Sequence, residues 1–323
     1  MASANLRQVV LTCSGHTRPV VDLCFARSQS GKCLLISACK DGKPMLRDGV
    51  TGDWIGTFEG HKGAVWSVHM DPSATLAATG SADFSAKIWD LSTGNEKLSL
   101  PHKHIVRAVE LSPDGSQLTT GSADKIIRRF DLSAGDDKEA FTFDGHHGAV
   151  KYVRLLGDGK RLLSVGDDRS IRVWDFISGE CIHTQQLPGI PQSLEISANG
   201  EQFVITMDRK VTFWSTVNYQ MMREFELPCK MYAASLHSAG EFFVCGGDDF
   251  KMYKMNYETG EEIESFKGHF GPVHCCAFSS DGELYASGSE DGTVRLWQTI
   301  VGKTYGLWKY VDANGSDAAK AES

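Results

Sequence analysis

An aspartate-bearing turn comes back along this chain at an almost constant interval. Lys40-Asp41, Ala82-Asp83, Ala123-Asp124, Asp167-Asp168, Met207-Asp208, Asp248-Asp249 and Glu290-Asp291 are its seven occurrences, and successive turns lie 42, 41, 44, 40, 41 and 42 residues apart. A period of this size marks stacked copies of one supersecondary unit, because a single copy cannot bury its apolar face alone. Seven copies occupy nearly the whole chain, so the length does not divide into two unrelated domains.

The rest of the unit travels with that aspartate. Six residues later stand Arg47, Trp89, Phe130, Trp174, Trp214, Met255 and Trp297, and four residues earlier Ser37, Thr79, Thr120, Ser164, Val204, Cys245 and Ser287. Twenty-two residues earlier comes a histidine in four units, His61, His102, His146 and His269, while His16 lies 25 before its aspartate. Each unit also holds four strand-length runs. In the second these are Val65–Val68, Leu76–Thr79, Ala86–Trp89 and Glu96–Leu100, separated by turn-forming residues. With no sustained helical period anywhere, the chain is expected to be all-β. The Gly-His…Asp…Trp-Asp unit resembles the WD40 repeat, which implies one four-stranded blade per unit and a seven-bladed β-propeller. The propeller is expected over residues 1–311, with 312–323 a short flexible tail. Arg7–Thr12 is expected to pair with the strand ending at Trp297 and close the ring, with Tyr305–Val311 adding a strand or packing alongside.

Composition narrows the class further. Lys+Arg number 33 against 41 Asp+Glu, a net charge of −8, which argues against a surface given over entirely to nucleic acid. No apolar run approaches the roughly 18 residues of a membrane span, so no membrane insertion is expected. The nine cysteines are odd in number and contain no C-x-x-C, as suits free thiols in a reducing compartment; cytoplasm and nucleus are the expected locations.

Three units hold a full set of His, hydroxyl, Asp and Trp: His61/Thr79/Asp83/Trp89, His146/Ser164/Asp168/Trp174 and His269/Ser287/Asp291/Trp297. A catalytic triad would need one special set with an exposed nucleophile and an oxyanion hole. Repetition instead points to a structural relay that satisfies buried polar groups, from Asp to His to hydroxyl to indole N–H. Arg47 leaves the first relay without its indole. Val204, Met255, Leu227 and Gln186 show units 5 and 6 losing theirs, so those blades are expected to rely on apolar packing. Gly302-Lys303-Thr304 lacks the first glycine of a phosphate loop, position 297 being Trp, and reads as a turn. His and Cys never fall at zinc spacing, and the doublets Asp136-Asp137 and Glu261-Glu262 read as solvated turns. No catalytic residue, cofactor or metal is expected.

Longer blocks, Ser14–Leu23, Ser37–Arg47, Thr51–Phe58 and Phe278–Gln298 continuing into 302–309, resemble one family of WD40 adaptors. That resemblance implies a non-enzymatic scaffold of the SMN complex, which assembles spliceosomal small nuclear ribonucleoproteins, with Gemin-type and Unr-type protein partners. It also implies receptor kinase and Smad partners in signalling, and contact with RNA that is indirect at most. The alternatives are the propeller subunit I of translation initiation factor three and a ubiquitin-ligase substrate receptor. In a propeller the residue five after each histidine should look into the channel mouth. Those are Val21, Trp66, Arg107, Lys151, Tyr232 and His274, with Pro191 in the fifth unit, and Trp66, Arg107, Lys151, Tyr232 and His274 are expected to bind partners. Lys40, Lys62, Lys103, His104, Lys125, Arg169, Arg209, Phe250 and Phe270 would surround them. Long side chains on exposed turns are the bland alternative.

Overall fold

The strand-length runs of the second unit become Val65–Met70, Leu76–Ser81, Ser85–Asp90 and Glu96–Pro101, each antiparallel to the next. Burial follows position in the blade: in Ser85–Asp90 the whole run from Ala86 to Trp89 is buried between neighbouring blades, whereas the outermost strand Glu96–Pro101 is mostly exposed. The computed structural model describes residues 6–8, 10–133, 141–301 and 310–312. Within them the chain forms seven four-stranded sheets and one two-stranded pair. Six sheets use consecutive strands. The seventh takes three consecutive strands, Val273–Phe278, Leu284–Ser289 and Val294–Gln298, and borrows Leu11–Cys13 as its outermost one. This is a seven-bladed β-propeller.

The borrowed strand pairs Leu11 with Leu296, Thr12 with Arg295 and Cys13 with Val294. It starts later than the sequence suggests. Leu6–Gln8 pairs instead with Tyr310–Asp312, outside the ring. The division follows burial, because Cys13 enters a cluster with Val20, Leu35, Val294 and Leu296. Residues 305–309 of the expected C-terminal strand and the tail beyond 312 lie outside the described residues, as does the Gly302-Lys303-Thr304 turn.

Apolar clusters sit between blades and join each to the next. Phe58 of the first blade packs on Trp89 of the second, with ring centroids 5.3 Å apart. Blades 5 and 6 share the most aromatic cluster, where Phe213 lies 5.1 Å from Phe243 and 4.9 Å from Tyr257. That is the apolar substitute for their missing relays. All nine cysteines are free thiols.

The innermost strand of each blade has one edge with no strand beside it, yet its N–H groups are out of bulk solvent and need acceptors. Side chains of the preceding blade supply them. Asp22 accepts from the Val68 N–H at 3.0 Å, His69 Nδ1 from the Leu111 N–H at 3.1 Å, and Glu110 from the Leu155 N–H at 3.4 Å. The first three blades thus each supply acceptors to the innermost strand of the next.

Candidate functional site: the channel mouth

A β-bulge recurs at one place in six of the seven innermost strands. The pairing with the second strand slips between Val20 and Asp22, Val65 and Ser67, Val106 and Ala108, Val150 and Tyr152, Met231 and Ala233, and Val273 and Cys275. The extra residues are Val21, Trp66, Arg107, Lys151, Tyr232 and His274. A bulged residue is released from the alternation of the strand and re-aims its side chain. All six line one cavity of about 200 Å³, together with Lys40, Tyr152 and Gln192. The five side chains expected to bind partners are therefore brought together. Pro191 is not among them. The fifth blade has no bulge in its Ser193–Ile196 strand, Pro191 is buried, and Gln192 takes the place at the mouth.

The mouth is held by cation–aromatic contacts. The Arg107 guanidinium lies 4.1 Å and the Lys40 ammonium 5.4 Å from the Trp66 ring, while Lys230 sits 4.9 Å from Tyr232. Tyr232 and His274 pack with ring centroids 5.4 Å apart. Lys151 donates to the Pro191 carbonyl at 2.9 Å, and burial, opposed by Asp167, holds its ammonium below the usual range. The indole N–H of Trp66 is shielded from solvent and has no acceptor among the described residues. The surrounding turns carry strain: Phe84, Lys125, Arg169 and Phe250 follow their aspartates with φ of 67°, 73°, 57° and 68°. These are left-handed conformations that side chains with a Cβ rarely adopt, costing on the order of 1 kcal/mol each.

Three residues further along the innermost strands, a second ring faces a deeper cavity of about 430 Å³: His69, Glu110, Arg154 and Glu195. Sequence reasoning missed this ring, although its signal was present as a charge in the middle of otherwise apolar innermost strands. Arg154 reaches Glu110 at 3.4 Å and Ser235 donates to Glu195 at 2.5 Å. Burial pushes the Glu195 carboxyl up to about 8, against the Ser235 hydrogen bond and the charge of Arg154, with Asp22 adding to the rise. A carboxyl that binds its proton more tightly folded than unfolded contributes stability that is full below its unfolded pKa, near 4.5, and is lost as pH rises through about 8. Glu195→Gln carries no such proton. Its melting temperature is expected to match wild type near pH 5 and to exceed it by several degrees near pH 8.5, in paired thermal melts across that range. Parallel pH profiles would show that Glu195 is not the titrating group.

The relays lie just outside the mouth. In the second blade His61 Nδ1 donates to Asp83 at 2.8 Å, Nε2 accepts from Thr79 at 2.6 Å, and Trp89 Nε1 donates to the same hydroxyl at 2.8 Å. The fourth and seventh blades repeat this. His146 bridges Asp168 (2.9 Å) and Ser164 (2.7 Å), with Trp174 donating at 2.8 Å; His269 bridges Asp291 (3.1 Å) and Ser287 (2.7 Å), with Trp297 donating at 2.9 Å. Carboxylates only accept and indoles only donate, so in each relay the aspartate takes a histidine N–H and the hydroxyl takes the indole N–H. Burial takes His269 down to about 4 against its aspartate. Asp83 is held at about 2: burial would raise it, but hydrogen bonds from Ser85, the Lys62 N–H and His61 prevail. The two turns touch so closely that a Cβ on Gly148 would lie 2.5 Å from the Asp168 nitrogen.

Other blades improvise. His16 bonds Asp41 (3.0 Å) and Ser37 (2.7 Å), while Arg47 replaces the indole and donates to the Gly52 and Ser14 carbonyls. In the third blade His102 turns to the Leu100 carbonyl and Asp124 binds Arg128 instead. In the sixth Tyr253 donates to Asp249. In the fifth Gln186 is not the residue that replaces histidine. It ends the fourth blade's outermost strand opposite Ser170, and Leu187 fills the buried place in a cluster with Ile205 and Met207. Trp214 there donates to Thr212 at 2.9 Å. Near His16, a ring nitrogen, the Cys39 thiol and the Asp41 carboxylate lie within 4.8 Å of one another. The Cys39 thiol, pushed up to about 12 mainly by burial, donates to the Arg18 carbonyl at 3.0 Å and accepts from the Asp41 N–H at 3.3 Å, while His16 and Asp41 are joined in the relay.

Blades, relays and closing strand together define a WD40 propeller. The model of the WD domain, G-beta repeat, matches residues 7–48, 52–90, 94–131, 137–175 and 260–298, passing over blades 5 and 6, where the relay is lost. The chain is 52% identical over 306 residues to the mouse serine-threonine kinase receptor-associated protein, covering 95% of this chain and 87% of that one. The Dictyostelium discoideum protein of the same name is 44% identical over 289 residues, covering 89% and 98%. Subunit I of eukaryotic translation initiation factor 3 from Culex quinquefasciatus is 26% identical over 317 residues, covering 88% and 95%. The chain belongs to the serine-threonine kinase receptor-associated protein family of WD40 repeat proteins, and its role is that of a protein-binding scaffold.

Proposed function

We propose that this chain is a non-enzymatic adaptor that docks partner proteins at its channel mouth. The observation that carries the reading is convergence: bulges in five different blades turn Trp66, Arg107, Lys151, Tyr232 and His274 onto one cavity. Aromatic and arginine side chains set in a concave, well-packed surface are the residues that anchor interfaces. The relays, repeated three times in full, serve the blades and perform no reaction. By family, its partners are SMN-complex components of the Gemin type and Unr-type proteins, in the assembly of spliceosomal small nuclear ribonucleoproteins in cytoplasm and nucleus. Receptor serine-threonine kinases, as in the name of the relatives, and a Smad are further partners in signalling.

Affinity purification of the tagged chain followed by peptide identification tests this. Gemin- and Unr-type proteins are expected among the partners, and Trp66→Ala should deplete them while leaving the melting temperature within a few degrees of wild type. Recovery of initiation-factor subunits or a cullin adaptor instead would replace the reading. The initiation-factor alternative has support in the 26% identity to subunit I, but that is half the identity to the receptor-associated proteins.

A further inference from the structure

The two halves of the mouth differ in how their charges are matched. On blades 4 to 7 most cations have carboxylates beside them: Lys151 lies 3.7 Å from Asp167, Lys251 3.5 Å from Asp249 and Arg209 3.7 Å from Glu226, and His274 bonds Glu290 at 2.6 Å, while Arg169 and Lys230 have none within 4.0 Å among the described residues. On blades 1 to 3 the acids are already engaged, Glu59 by Lys43, Asp83 by its relay and Asp124 by Arg128. Lys40, Lys62, Lys103, Arg107 and Lys125 have no carboxylate within 4.0 Å among the described residues. Lys62, Lys103 and Lys125 are exposed, and each adjoins a relay histidine or aspartate at the same rim. Between them lies Trp66, with its shielded N–H lacking an acceptor.

We propose that this arc over blades 1 to 3 holds an acidic segment of a partner protein, with one carboxylate seated between Arg107 and Lys40; the proposal rests on the mouth being the docking face. Charge complementarity names the chemistry. An uncompensated cation arc on a chain of net charge −8 is a local field, and it selects an anionic partner and sets its orientation. A protein segment fits better than RNA for two reasons. Single-stranded nucleic acid stacks its bases on bare aromatic faces, whereas the Trp66 ring already carries Arg107 and Lys40. Across the mouth, Asp167, Asp248 and Glu290 would repel a continuous phosphate backbone but tolerate a peptide whose charge is confined to one end.

Fluorescence anisotropy tests this on the full chain with three labelled probes: a decapeptide of alternating Glu and Ser, its Lys-for-Glu counterpart, and a decamer of uridine RNA. The glutamate peptide should bind, weaken with salt, and lose about tenfold or more in affinity in the Lys40→Glu/Arg107→Glu variant. Asp167→Asn/Glu290→Gln, on the opposite half, should keep or tighten binding. Thermal melts confirm that both variants fold. Binding of the RNA in preference to the peptide, no peptide binding, or equal affinity in Lys40→Glu/Arg107→Glu overturns the proposal. If co-purified partners are lost with Trp66→Ala yet indifferent to that double charge reversal, docking at the mouth stands and the acidic-segment proposal falls.

Discussion

Deleting residues 1–13 is expected to open the ring. The deletion removes Leu11–Cys13 and leaves Val294–Gln298 as a bare edge whose Val294, Leu296 and Trp297 are fully buried in the intact protein. It also strips Val10, Leu11 and Cys13 from two apolar clusters. Full burial of one such side chain contributes about 1.5–3 kcal/mol, so the loss amounts to roughly 3–6 kcal/mol, a large share of a typical folding free energy. The melting temperature should fall by roughly 10 °C. The exposed edge is also a template for pairing with another chain, so light scattering should show concentration-dependent association. Deleting only residues 1–9 removes the pair with Tyr310–Asp312 but keeps the closing strand, and should leave a monomer of nearly unchanged stability. Equal damage from both deletions would mean that the outer pair, not Leu11–Cys13, closes the propeller.

The fourth blade's relay should separate packing from hydrogen bonding. Trp174 is 1% exposed and sits against Phe143, ring centroids 6.0 Å apart. Trp174→Ala deletes that packing and leaves a cavity, an expected cost of about 3–5 kcal/mol in urea denaturation. Asp168→Ala keeps the packing and leaves the His146 Nδ1–H and the His147 N–H without their acceptor, for about 1–3 kcal/mol. Both variants should still bind partners below their melting transition, because neither residue lines the mouth. Unchanged stability with abolished binding in Asp168→Ala would make the relay a functional site.

Much of this is legible in the sequence, because repetition turns weak local signals into strong ones. One aspartate-bearing turn says little, but seven at one period fix the blade, and the place of Trp66 follows from His61 by counting. Counting fails where the unit drifts. In the fifth blade the hairpin tightens to Asp208-Arg209, joining Met207 to Lys210, so a fixed offset lands on Gln186 and Pro191 in place of Leu187 and Gln192. The N-terminal strand was located but its register was not, since 7–12 contains two short strands with different partners. The matched and unmatched halves of the mouth were invisible for another reason. Whether a lysine is neutralised depends on a carboxylate from elsewhere in the chain, and no spacing rule reports that distance.

The borrowed strand also orders events in time. Leu11–Cys13 leaves the ribosome ahead of every blade, and its partner Val294–Leu296 follows only after the six complete blades between them. Bringing such distant ends together is the slow, entropically costly kind of contact. Until synthesis is almost complete, the strand has no edge to join and the blade that needs it does not exist. A nascent chain of this protein therefore carries its closing strand unpaired until the seventh blade is made, and a premature stop anywhere before residue 294 leaves Leu11–Cys13 without its partner.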